Sequence, residues 1–375
     1  MKKNYISALA VLACVAVFCT ISGNSFHQMR TATEEIIPGE GVTEVRMLSD
    51  YFPDLAGTAG DTQIYVLQGE QEGGSCLILG GTHANELGGH MGAVLFVENA
   101  KVEAGTLYVI PRTNNSAFTH NDPQEGHPST VHITTDEGNV REFIHGSRAT
   151  NPVDQWPDPD VYVNYMGQSL SGSENRNINR TYPGKADGTL TEMSYGIVQL
   201  INTENIDVTV DLHEASPEYP VINALIAHER AMNLASNVVV DMQMEGVQIS
   251  LEPSPTDLRG LTHRELGDHT DTLALLMEAP NPAQGRLRDR TDEALVLTGK
   301  SETYVKAGEI GQLYVPYDEN GWPIEVRCAR HVFGIERILA NYSEMYEEPI
   351  IVTGMPSYDE LVKNGMGPYL NEPTT

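Results

Sequence analysis

The chain is short of basic residues. Lys and Arg number 23 against 52 Asp and Glu in 375 residues, a formal net charge of −29. That balance disfavours a nucleic-acid footprint, which needs clustered cations on phosphate. It also disfavours docking of the body on an anionic membrane surface, but it leaves room for a locally basic pocket. Cysteine is scarce. Cys14 and Cys19 lie in an N-terminal apolar stretch, so only Cys76 and Cys328 remain beyond it. Two thiols make no disulfide framework, and no cysteines have metal-ligand spacing. Cys76 sits in an apolar run and reads as a buried free thiol. There is no HExxH, no GxSxG and no phosphate-binding glycine loop, which removes the signatures of zincins, serine hydrolases and nucleotide enzymes. Repeats, low-complexity tracts and a dividing linker are absent too, which favours a single domain.

Lys2 and Lys3 precede an apolar stretch from about Tyr5 to Ile21, and Ser22-Gly23-Asn24-Ser25 follows. A basic start, an apolar run and small residues have the form of an export signal. The run is also near the lower length for a membrane-spanning helix. Residues 1–25 therefore read as a signal peptide or an N-terminal membrane anchor. The protein is expected to be exported, periplasmic or extracellular, with a membrane tether through residues 5–21 if the segment is not cleaved.

Residues 26–60 read as an extended lead-in, and residues 351–375 as an irregular tail. Between them, residues 61–350 alternate β-like runs with helical stretches. Strands are expected at Gln63–Leu67, Cys76–Leu79, Thr106–Ile110, Asp207–Leu212, Val221–Ile226 and Thr272–Met277. Helices are expected at Leu87–Ala100, Leu190–Asn202, Glu229–Met244, Asp292–Ala307 and His331–Tyr346. Several strand runs lack polar alternation, as central strands covered on both faces do. The fold class is α/β, with helices on both faces of a central sheet. Residues 114–182, rich in Pro, Gly, Asn, Asp, Ser and His, form a long insertion, and loops of that length are usually functional. Trp156, Tyr162 and Tyr165 argue that it is ordered around the site. His120, His127, His132 and His145 lie in it without ligand spacing.

Four apolar runs end in a polar group. Cys76–Leu79 leads through Gly80-Gly81 to His83 and Glu86. Val208–Leu212 ends at His213, Leu273–Met277 ends at Glu278, and Leu107–Ile110 ends at Pro111-Arg112. A spacing of three puts His83 and Glu86 on one side of a helical turn, and the glycines allow a sharp bend before them. In open α/β sheets ligands bind outside the carboxyl ends of the strands, so these groups are candidates for one site. Two His and one Glu form a three-ligand zinc site that keeps a position open for water, as catalytic sites do. Water acidified there needs a carboxylate to take its proton and pass it to a leaving amine. Glu278 is the candidate for that base. Asn179-Arg180, closing the insertion, reads as a substrate-carboxylate anchor, because a guanidinium pairs bidentately with carboxylates. Thr262–His269 holds two His and two acids, but it lacks the strand-end setting and reads as pocket lining or a helix cap.

In this order the motifs resemble the zinc carboxypeptidase superfamily, and most of all its succinylglutamate desuccinylase/aspartoacylase branch. The matching text is Gly81-Thr82-His83-Ala84-Asn85-Glu86, Asn177-Ile178-Asn179-Arg180-Thr181-Tyr182-Pro183-Gly184, Asp211-Leu212-His213-Glu214-Ala215 and Met277-Glu278-Ala279-Pro280-Asn281-Pro282-Ala283-Gln284-Gly285-Arg286. The resemblance covers about residues 60–340. It implies a mixed, mostly parallel sheet and one zinc ion on His83, Glu86 and His213. It further implies Asn179 and Arg180 at a substrate carboxylate, and Glu278 as general base. A further arginine is expected at the substrate, with Arg112, Arg176 and Arg286 as candidates. Residues 291–346 read as helical, whereas the branch often carries a separate β-rich C-terminal domain. The implied activity is amide hydrolysis: deacylation of N-acyl amino acids or related carboxylate-bearing small substrates, or else carboxypeptidase trimming of peptides. A non-catalytic binding protein on the same fold is the reading from another class.

Overall fold

The computed structural model describes residues 2–121, 128–188 and 190–373. Helix α1 (Lys2–Thr31) comes first, followed by β1 (Glu44–Met47), β2 (Gln63–Gln68), β3 (Gln71–Leu79), α2 (Leu87–Asn99) and β4 (Lys101–Ile110). Two hairpins fill much of the insertion, β5 (Thr130–Thr134) with β6 (Val140–Ile144) and β7 (Val161–Val163) with β8 (Ser169–Ser171). Then come α3 (Glu192–Glu204), β9 (Val208–Ala215), β10 (Ala224–Ala227), α4 (Met232–Met244), β11 (Ser250–Pro253), α5 (Thr262–His269) and β12 (Leu273–Pro280). The chain continues with α6 (Glu293–Thr298), α7 (Glu302–Glu309), α8 (Ile324–Tyr346), β13 (Ile351–Thr353) and α9 (Tyr358–Asn364).

The strands form a mixed sheet in the order β1-β2-β4-β3-β9-β12-β10-β11, with β13 pairing on β4. The four at its centre, β4, β3, β9 and β12, are parallel, and antiparallel strands flank them. Residues alternate faces along a strand, and here both faces are covered. Cys76 and Ile78 pack with Val94 of α2, Val238 of α4 and Val332 of α8. Leu77 and Leu79, pointing the other way, pack with Ile197 of α3 and Leu266 of α5. That is why the Cys76–Leu79 run has no polar alternation. Cys76 and Cys328 are both buried free thiols.

Strand order changes direction beside β3. From β3 the chain crosses by α2 to β4 on one side, while β9 lies on the other. Loops leaving adjacent strands in opposite directions open a crevice at such a switch point. His83 follows β3 and His213 lies near the carboxyl end of β9, one on each side of it.

Several expectations are corrected. The lead-in is not uniformly extended: α1 runs on to Thr31, and Glu44–Met47 pairs antiparallel with β2. Glu34 is seated in the core, 2.6 Å from His90 Nε2, which docks this segment on α2. The expected helix Asp292–Ala307 is two helices, broken at Gly299, whose φ of +59° ends α6 in a left-handed cap. The tail carries β13 and α9. α1 is apolar and long enough to cross a membrane, and its apolar stretch is not buried in the body.

Candidate metal centre and substrate pocket

His83 and Glu86 stand in the turn between β3 and α2, with Glu86 as the N-cap of α2. They are not on a formed helix; the Glu86 backbone N–H donates to His83 carbonyl oxygen at 3.1 Å and closes the turn. Gly81 makes the turn with a φ of +63°, and a Cβ there would lie 2.6 Å from Pro111 carbonyl oxygen. On the far side of the ligand turn, a Cβ on Gly89 would lie 2.3 Å from the Leu212 carbonyl oxygen. Bare glycine thus lets α2 press against β9, which brings Glu86 and His213 together.

His83, Glu86 and His213 each offer a ligand atom, all within 4.8 Å of one another, and all three are buried. Glu86 Oε1 lies 2.7 Å from His83 Nδ1 and Oε2 lies 2.9 Å from His213 Nδ1. Both rings are held from behind. His83 Nε2 is 2.9 Å from Asn177 Oδ1, and His213 Nε2 is 2.8 Å from Asp211 Oδ2. Thr82 Oγ1 donates to the other Asp211 oxygen at 2.7 Å. The Glu214 N–H donates to Glu86 Oε2 at 2.9 Å.

This arrangement fits a divalent cation. Each imidazole faces an oxygen acceptor at both nitrogens, and His83, held neutral, has only one N–H to give. Burial, aided by the Arg148 charge, pushes His83 down to about 4 and keeps it neutral. With Nε2–H donated to Asn177, its Nδ1 lone pair points at the Glu86 carboxylate. A cation between them turns that repulsion into coordination, and the partners at Nε2 are the type that orient ligating histidines. Burial opposes charge on His213, but Asp211 and Glu86 raise it well above the usual imidazole range. Burial likewise works against Glu86, yet His83 and His213 hold it well below the usual carboxylate range. A cationic group already rests here: Arg148 Nη1 is 3.4 Å from His83 Nδ1 and 3.6 Å from Glu86 Oε1. Its side chain is 42% exposed, so it can move aside.

The group opens into a cavity of about 450 Å³. Glu278 lies opposite His213 in the β9–β12 register and lines this cavity. Its Oε2 is buried with no hydrogen-bond partner among the described residues, and burial pushes its carboxyl up to about 8 against the pull of His213. Asn179 and Arg180, in a short 3-10 turn (Ile178–Arg180), line the same cavity. Asn179 Oδ1 is fixed by donors from the Thr262 backbone and hydroxyl at 2.8 and 2.9 Å. Arg180 donates from Nη1 to Asn179 carbonyl oxygen at 2.6 Å. His263 of α5 lines the cavity too, with Nδ1 2.7 Å from Ser254 Oγ.

Arg112 and Arg176 are placed elsewhere. Arg112 stacks over Phe118, 4.6 Å from the ring centre, in a separate small cavity beside Tyr65. Arg176 pairs with Asp158 through Nε and Nη2 at 2.7 and 3.0 Å. The arginine beside the His83–Glu86–His213 group is Arg148, which carried no signal beyond lying in the insertion. Asp211 had one: two residues before His213 on a strand, it shares that residue's face. His127 lies outside the described residues. His132 pairs with Glu293 at the surface.

No family model and no curated protein matches the chain. Solved structures do show a likeness. One is a metallo-carboxypeptidase from Burkholderia cenocepacia, at 12% identity and a TM-score of 0.47, covering 85% of this chain and 68% of that one. A second is the cell shape determinant protein Csd4 from Helicobacter pylori, at 13% identity and 0.45, covering 80% and 58%. A third is a succinylglutamate desuccinylase from a Silicibacter species, at 15% identity and 0.41, covering 76% and 61%. The chain thus spans between 58% and 68% of the length of these three.

Proposed function

We propose that the chain is a zinc-dependent hydrolase that removes the acyl group from N-acyl amino acids or related small substrates with a carboxylate. The observation that carries this reading is the convergence of His83 Nδ1, Glu86 and His213 Nδ1 beside an unpartnered Glu278 oxygen, all facing one cavity. When bound, the ion supplies Lewis acidity, lowering the pKa of water and polarising a carbonyl. Glu278 takes the proton of the attacking water and later gives it to the leaving nitrogen. Arg180, held by Asn179, pairs with the substrate carboxylate. Arg148, at the edge of the donor group, supports negative charge as it develops on the carbonyl oxygen.

Trimming of peptides from a free C-terminus uses the same groups, and the size of the cavity supports it as a second reading. The apolar α1 supports an exported protein, with the segment either cleaved or kept as a tether. A panel of N-acyl amino acids and short peptides, each with a free or an amidated carboxylate, tests these readings. Hydrolysis restricted to free carboxylates is expected. Equal turnover of amidated substrates would remove the Arg180 anchor, and no turnover of any member with zinc present would overturn the hydrolase reading.

A further inference from the structure

The cavity continues past the metal group to the edge of the sheet. Glu278 is aligned with Ala224 of β10, and Leu276, two residues earlier, with Ile226. Ile226 is aligned in turn with Glu252 of β11, the last strand in the order. Residues aligned across strands share a face, so Leu276, Ile226 and Glu252 form one row along the cavity floor, and all three line it. Strands lie roughly 5 Å apart, which puts Glu252 about 10 Å across the sheet from the strand that carries Glu278. Val221 packs beside Ile226 and Leu276, and Leu258 and Leu261 add apolar lining to the same cavity. Arg148 and Arg180 line the same cavity, Arg148 beside His83 and Glu86. Glu252 is partly buried, and its side chain makes no ion pair or hydrogen bond among the described residues.

We propose that this end of the cavity receives a cationic side chain, an ω-ammonium or guanidinium on a long aliphatic stem, belonging to the amino acid whose carboxylate Arg180 holds. The proposal rests on the hydrolase reading for its orientation of the substrate. The stem covers Leu276 and Ile226 as lysine stems cover apolar surface elsewhere, and the charged head pairs with Glu252. An apolar residue would bury the Glu252 carboxylate without a partner, and an acidic one would be repelled. The net charge of −29 acts in the same sense, drawing cations toward the protein.

The test is binding, so that it does not depend on turnover. Titration calorimetry of the full zinc-supplemented chain with L-lysine and with L-norleucine compares the same stem with and without the ammonium. A charge-assisted pair predicts lysine binding about 10- to 100-fold tighter. Glu252→Gln, isosteric and on an edge strand, should bring the ratio near one, and Glu252→Lys should invert it. Norleucine binding as tightly as lysine, absence of lysine binding, or an unchanged ratio in Glu252→Gln would overturn the proposal. If the amide panel fails while lysine selectivity holds, the catalytic reading falls and the pocket assignment stands.

Discussion

Asp211 holds His213 by its outer nitrogen, 2.8 Å from Nε2, and so turns Nδ1 toward Glu86. The two side chains sit two residues apart on one face of β9, and Asp211 is itself tied to Thr82 beside His83. Changing Asp211 to Asn keeps the shape but removes the charge that orients and enriches the imidazole. Zinc affinity should fall about 10- to 100-fold, as read by competition with a chelator. Unchanged affinity would mean that Asp211 does not orient His213 for a metal.

Glu278→Gln separates binding from chemistry. Glu278 lies beside the donor group and is not one of its three members. The variant should bind zinc as the wild type does and lose roughly 10²- to 10⁴-fold in turnover, the usual contribution of a positioned acid–base group. Metal content and kcat on one substrate from the panel check both halves.

Arg327 of α8 is fully buried and donates to both Glu214 oxygens at 2.9 and 3.0 Å. Glu214 is pushed up to about 7 by burial even with this partner, and its backbone N–H supports Glu86. Arg327→Met leaves the carboxylate without a counter-charge, and removing one partner of a buried pair costs about 3–5 kcal/mol. Urea unfolding should show that loss, and the added change Glu214→Gln should recover part of it.

Glu336, on the same helix, gives a stability–pH test away from the site. Burial pushes its carboxyl from the ordinary 4.5 up to about 7, with Arg337 opposing. The folded state therefore binds this proton more tightly than the unfolded state, and the wild type loses stability as pH rises from about 4.5 to about 7. Glu336→Gln lacks that titration, so its stability relative to the wild type should increase across this window. Urea midpoints at pH 5 and pH 8 measure it; a difference independent of pH would contradict the shift.

The centre of the candidate site was legible because His83, His213 and Glu278 each lie near the carboxyl end of a buried strand or just past it, where a mostly apolar run stops at a polar residue. The same regularity located β3, β9 and β12. Groups from irregular segments left no such mark. Arg148 comes from the insertion after β6, and Glu252 from a four-residue edge strand. β13, at three residues, is too short to show a period. α9 did carry a readable sign, since Ser357 and Glu360 form a capping box at its start. The continuity expected for Asp292–Ala307 fails at Gly299, a residue whose left-handed backbone ends helices.

The central claim is that His83, Glu86 and His213 together hold one zinc ion. Elemental analysis of purified wild type, His83→Ala and His213→Ala, each exposed to equal zinc and then desalted, tests it most directly. About one zinc per chain is expected in the wild type and little in either variant, with secondary structure retained. Full zinc retention in both variants, or none in the wild type, would contradict it.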